Sequence, residues 1–116
     1  MEITIRENGN VTILQVSGRL DLASGSNLKD QVKKLLAKNV TSIHLNLGSV
    51  EFINSSGLGA LVSIMKEIRL FKGRLTLSNL ATYVQEIFDI TQLSHIFEIF
   101  VTEEEALSSY QSVPTL

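Results

Sequence analysis

Two serines stand where an extended apolar segment passes into a helical one, in Phe52-Ile53-Asn54-Ser55-Ser56-Gly57-Leu58-Gly59-Ala60-Leu61-Val62. A hydroxyl there lies at a helix N-terminus, where the first backbone N–H groups have no intrahelical partner and the dipole carries roughly half a positive charge. Such a place stabilises an anion, including a phosphate on the hydroxyl itself. The residue types therefore allow a regulated serine. Taken alone, the commoner use of such a serine is a plain N-cap, with Ser55 or Ser56 accepting a hydrogen bond from an N–H two or three residues on.

Other chemistries find less support. Gly57-Leu58-Gly59 begins like a dinucleotide fingerprint, but Val62 stands where the third glycine belongs, and no Gly-Lys-Ser/Thr phosphate loop occurs. A nucleophile elbow needs glycine two residues before its serine; Ile53 and Asn54 occupy those positions. His44 and His95 are far apart and there is no cysteine, so neither a zinc site nor any other cofactor is expected. His44 reads as a structural strand residue and His95 as one that packs or bonds locally. Glu103, Glu104 and Glu105 sit at a helix start, where the dipole favours them and no further role is required.

The elements that must position the serines follow from pattern. Ile3 and Ile5, then Val11, Ile13, Leu14 and Val16, make two strands around an Asn8-Gly9-Asn10 turn. Ser24 caps a helix with Leu28, Val32, Leu35 and Leu36 on its buried side and Lys29, Asp30, Lys33 and Lys34 opposite. Ile43, Leu45 and Leu47 alternate as a strand that leads, after Gly48 to Glu51, into a second helix from about Ser56 to Phe71. On a helical wheel Leu58, Leu61, Val62, Ile64, Met65, Ile68 and Phe71 face the core, while Gly59, Ser63 and Leu70 face outward. An exposed glycine costs a helix up to about 1 kcal/mol, which suggests a close approach by a partner at Gly59. Gly73 ends that helix, Arg74–Ser78 is a strand, Asn79 caps a third helix, Ile96–Phe100 closes the sheet, and Thr102 begins a capping box. Alternating strands and helices imply an α/β domain: a mixed sheet of four to five strands covered by about four helices. Asp21 and Ser56 both fall just past strand ends, the usual binding edge of such sheets.

The 116 residues suit one domain over 1–110, with a fraying tail at 111–116. Ten basic against twelve acidic side chains give a net charge of -2, without the positive field that nucleic acid requires. Absent cysteines fit a reducing cytoplasm, and no apolar run is long enough to embed in a membrane. A monomer is the default expectation, with Leu70 and the Gly59 face as places for another chain to dock.

Read together, these motifs resemble single-domain STAS proteins of the anti-sigma factor antagonist type. Gly18-Arg19-Leu20-Asp21 is similar to that family's Gly-x-Leu-Asp, and Asn54-Ser55-Ser56-Gly57-Leu58-Gly59 to its Asp-Ser-Ser-Gly-Leu-Gly. Ile90-Thr91-Gln92-Leu93, Phe97-Glu98-Ile99-Phe100 and Glu103-Glu104-Glu105-Ala106-Leu107 resemble its closing segment. The resemblance implies a partner switch and not an enzyme. Its phosphoacceptor is Ser56, modified by an anti-sigma factor that is also a serine kinase and restored by a metal-dependent Ser/Thr phosphatase. The kinase-binding surface it implies comprises Asp21, Asn54, Ser55, Ser56, Gly57, Gly59 and Ser63. Asn54 and Asn46 replace family aspartates, which would remove two carboxylates near Ser56. Some STAS domains are instead constitutive subunits of transport assemblies, a second reading for this chain.

Overall fold

The computed structural model describes residues 2–111. β1 (Glu2–Asn8) and β2 (Val11–Leu20) form an antiparallel hairpin, with Asn8 opposite Val11 across a two-residue turn. Gly9, at φ 60°, takes the first central position, where a hairpin turn of the II′ kind needs the left-handed freedom of glycine. The chain continues through α1 (Leu22–Ala37), β3 (Ser42–Ile53), α2 (Ser55–Leu70), β4 (Arg74–Ser78), α3 (Thr82–Ile90), a 3₁₀ turn at Leu93–His95, β5 (Glu98–Phe100) and α4 (Glu103–Ser108). The five strands lie in chain order, and all neighbours after the first pair are parallel. This is the α/β mixed sheet that alternation implied. Of the expected tail at 111–116, residues 112–116 lie outside the described residues.

The two sheet faces differ chemically. Leu14, Val16, Leu45, Leu47, Leu75 and Leu77 join Leu28, Val32 and Leu36 of α1 and Leu61, Ile64 and Ile68 of α2 in one dry core. The period of two in β3 puts His44 and Asn46 on the other face. There the buried polar residues His44, Asn46, Thr76 and Ser78 form a layer. The His44 ring nitrogens lie 2.7 Å from both Thr76 Oγ1 and Ser78 Oγ. Desolvation lowers the His44 pKa to about 4, so the imidazole is neutral in the fold. Tyr110 reaches over this layer, donating to the Ile43 carbonyl at 2.7 Å and lying 2.9 Å from Thr76 Oγ1.

β3 runs further than its alternation suggested. Its register against β2 slips between Gln15 and Ser17 and again between Gly18 and Arg19, so two bulges carry the chain through Gly48 to Glu51 as strand. β4 stops at Ser78, opposite Asn46. Past Ser17, where β2 pairs with Glu2 of β1, the ends of β2 and β3 continue among the described residues as a two-stranded ribbon.

Several local expectations are corrected. Asp21, not Ser24, is the N-cap of α1; Ser24 is its reciprocal capping-box partner. α2 ends with Lys72 in the left-handed position at φ 58°, and Gly73 follows it. Gly73 is set by crowding, since a Cβ there would lie 2.4 Å from the Thr41 carbonyl oxygen. α3 begins after Ala81, which makes no side-chain cap; Asn79 is a left-handed residue in the preceding loop. Phe71, past the last turn of α2, is 47% exposed instead of buried. His95 is exposed, and only Glu98–Phe100 of the last segment pairs as strand.

Candidate functional site

Leu20 and Ile53 end their strands side by side, and a helix begins immediately after each. Asp21, extended at φ -128°, accepts from the Ser24 N–H through Oδ1 at 3.2 Å, while its own N–H donates to Ser24 Oγ at 2.9 Å. The Ser24 N–H and the Ser24 hydroxyl, 3.0 Å from the same Oδ1, favour the charged form and hold the Asp21 carboxyl below the usual carboxylate range. Asn54, extended at φ -117°, caps α2 by accepting from the Gly57 N–H through Oδ1 at 2.9 Å. Its own N–H donates to the Leu20 carbonyl at 3.3 Å, tying the two caps together across the ribbon.

Because Asn54 is the cap, neither serine is. Ser55 and Ser56 are the first two residues of α2 and are exposed, and among the described residues their hydroxyls make no hydrogen bond within the chain. Their backbone N–H groups, at positions that no helix can satisfy internally, remain available to an added anion. No acidic side chain occupies the first turn of α2 to compete for that end of the dipole.

Glycine sets how closely these parts approach. A Cβ on Gly57 would lie 2.1 Å from the Leu20 carbonyl oxygen, and one on Gly25 would lie 2.6 Å from Ala60 Cβ. The first turns of α1 and α2 can therefore sit against each other and against the end of β2 only with bare backbone at both positions. Gly57 is buried and serves this internal contact, which corrects its expected place on the partner surface. Gly59 is the opposite case: it is exposed, and a Cβ there would meet nothing within 4 Å. Ser56, Gly59 and Ser63 follow one another at helical spacing, the first two exposed and the third half-buried. Beside them Arg19, paired with Phe52 in the ribbon, holds its guanidinium carbon 3.9 Å over the Phe52 ring. An open cleft of about 560 Å³ between α3 and β5, lined partly by Leu80, Phe97 and Val101, lies apart from the serines.

Asn46 does not belong to this site. Its side chain donates to Glu103 Oε1 at 2.9 Å and accepts from the Gly48 N–H, at the place where β4 ends. Glu103 also holds Arg6, at 2.8 and 3.2 Å, so it has a role beyond the helix dipole. The Arg6 and Asn46 bonds hold the Glu103 carboxyl below its ordinary range. Gly25 is the positioning residue that sequence reasoning missed; a glycine in the first turn of an otherwise ordinary amphipathic helix was its only signal.

The family model for the STAS domain matches residues 2–106. The chain belongs to the STAS domain family. Within it, the chain is 28% identical over 104 residues to the anti-sigma-B factor antagonist of Bacillus subtilis, covering 90% of this chain and 94% of that protein. It is 30% identical to the anti-sigma-B factor antagonist of Listeria monocytogenes, covering 90% and 91%. Among solved STAS-like folds, unphosphorylated SpoIIAA, an anti-sigma factor antagonist, superposes with a TM-score of 0.75 at 21% identity, over 97% of this chain and 100% of that one. At that identity the likeness concerns the fold.

Proposed function

We propose that this STAS domain is an anti-sigma factor antagonist whose partner binding is ended by phosphorylation of Ser56. The observation that carries the reading is the division of labour at the start of α2. Asn54 takes the capping bond, which leaves the exposed Ser56 hydroxyl free for a kinase and leaves free N–H groups behind it. The names of the Bacillus and Listeria relatives support the same reading.

In this reading the unphosphorylated protein docks on an anti-sigma factor that is also a serine kinase, in the cytoplasm. The contact surface comprises Asp21, Asn54, Ser55, Ser56, Gly59 and Ser63. The kinase moves the terminal phosphoryl group of ATP onto Ser56 Oγ, and a metal-dependent Ser/Thr phosphatase removes it. A phosphate adds nearly two negative charges, whose cost inside the domain is offset in part by the helix N-terminus. A partner packed on Gly59, one turn away, meets those charges directly. A desolvation cost of about 3 kcal/mol weakens the complex roughly a hundredfold without refolding either protein.

The test is capture from lysate by wild type, Ser56→Ala and Ser56→Asp, with mass spectrometry of bound proteins and phosphosites. Retention of an ATP-binding kinase by the alanine form, its loss from the aspartate form and phosphate on wild-type Ser56 are the expected results. Equal capture by all three forms without phosphate would move the protein to the constitutive-subunit reading.

A further inference from the structure

The hairpin strand β1 leaves one long side of the sheet open. Among the described residues its only sheet neighbour is β2, and Ile5 is 47% exposed. Such an edge presents unpaired backbone donors and acceptors and is a template for another strand. Counting from the two-residue turn, Asn8–Val11 is a hydrogen-bonded pair, and alternate pairs down the ladder, Arg6–Ile13, Thr4–Gln15 and Glu2–Ser17, repeat it. The backbone groups of Ile3, Ile5 and Glu7 therefore point away from β2. An antiparallel strand added on that side must bond through those residues.

We propose that β1 pairs with β1 of a second copy of this chain, with Ile3 opposite Ile5 and Thr4 on the two-fold axis. In that register Glu2 of each copy faces Arg6 of the other, Thr4 faces Thr4, and the two isoleucine pairs lie together on the opposite face. Opposite charges, paired threonines and paired β-branched residues are each favourable across an antiparallel ladder. The pattern Glu-Ile-Thr-Ile-Arg is thus complementary to itself when reversed, as a two-fold interface requires.

The other registers that backbone direction allows lack this match. Ile5 opposite Ile5 sets Ile3 against Glu7 and Thr4 against Arg6. Ile5 opposite Glu7 sets Arg6 against Arg6. Ile3 opposite Ile3 sets Glu2 against Thr4 and leaves Arg6 beyond the pairing. Arg6 is held in place for the matched register, because Glu103 grips its guanidinium from the α4 side at 2.8 and 3.2 Å. Glu2 of the second copy would complete a carboxylate pair around it. Antiparallel pairing reverses the strands of the second copy, so the two Ser56 edges face opposite ways and neither covers the other. The contact is one short strand wide, which places it among weak, concentration-dependent associations.

Sedimentation velocity of the full chain from low micromolar to roughly 1 mM tests the pairing, on a range where a weak dimer populates. The expected result is a reversible shift of wild type toward dimer. Ile5→Pro removes an outward N–H at an edge position where proline is tolerated. Glu2→Arg sets like charges opposite Arg6, and among the described residues the Glu2 side chain makes no bond within the chain, so this variant stays folded whatever proline does to the strand. Each change is expected to weaken association about tenfold or more, equivalent to about 1.4 kcal/mol. Ser56→Asp is expected to associate like wild type, which separates this inference from the partner switch. A wild-type chain that stays monomeric throughout overturns the proposal. So does an association that Glu2→Arg leaves unchanged, which would assign it to another surface.

Discussion

Gly57 and Gly59 stand two residues apart in one helix, and alanine should act on them with opposite sign. At Gly57 the new methyl would lie 2.1 Å from the Leu20 carbonyl oxygen and 2.8 Å from its carbon, both backbone atoms that cannot rotate away. The first turn of α2 must retreat by roughly 1 Å to reach ordinary contact. Overpacking of this kind costs about 3 kcal/mol. The retreat also strains the Asn54 cap, for about 1 kcal/mol more, and the better helix propensity of alanine returns about 1 kcal/mol. Gly57→Ala is thus expected to lose about 3 kcal/mol. At Gly59 nothing stands within 4 Å, and the same exchange should gain about 0.5–1 kcal/mol. Urea unfolding reads both. With a slope of about 1.3 kcal/mol/M, the two midpoints should separate by roughly 2 M or more. A Gly57→Ala protein within about 0.5 kcal/mol of wild type, or a Gly59→Ala protein less stable than wild type, would refute the crowding argument.

The buried polar layer makes two further predictions. The folded His44 pKa, lowered to about 4, lies below the ordinary value of 6.5, so protonation favours the unfolded chain. The contribution from neutral His44 is full above pH 6.5 and is lost as pH falls toward 4, at most about 3 kcal/mol; in urea titrations across that window, His44→Gln should flatten the slope by about one proton. Glu103→Ala frees Arg6 and Asn46 and is expected to cost about 1 kcal/mol, a modest figure because Arg6 is partly exposed, whereas Glu104→Ala should change the thermal midpoint little.

The apolar alternation of β3, the amphipathic faces of α1 and α2, and the turn at Gly9 were all legible because each depends on residues close in sequence. The serine segment was legible only as a region. Asn54, Ser55 and Ser56 are all good capping residues, and what chooses among them is where β3 ends, which depends on two bulges against β2. The Asp21–Ser24 box was misassigned for a related reason: both side chains can cap, and the bond from Asn54 to Leu20 fixes where β2 stops. Glu103 was read only as a dipole residue because its partners Arg6 and Asn46 are 97 and 57 residues away. Gly25 and Gly57 are explained only by atoms of other elements, Ala60 and Leu20.

The glycine contacts at Gly25 and Gly57 also limit how this domain can carry information. Side chains in a core act as springs that repack when one of them changes, but at these two positions the spacing is set by backbone and Cβ atoms already at their closest approach. Asp21 and Ser56 are therefore held like marks on a ruler, kept from closing by these contacts and from parting by the bond from the Asn54 N–H to the Leu20 carbonyl. In the proposed reading, a phosphate on Ser56 therefore acts at the surface it is placed on and not through a rearranged core. It can be read only by something that touches it, so nuclear magnetic resonance shift changes on modification should stay within the ribbon and the first turns of α1 and α2.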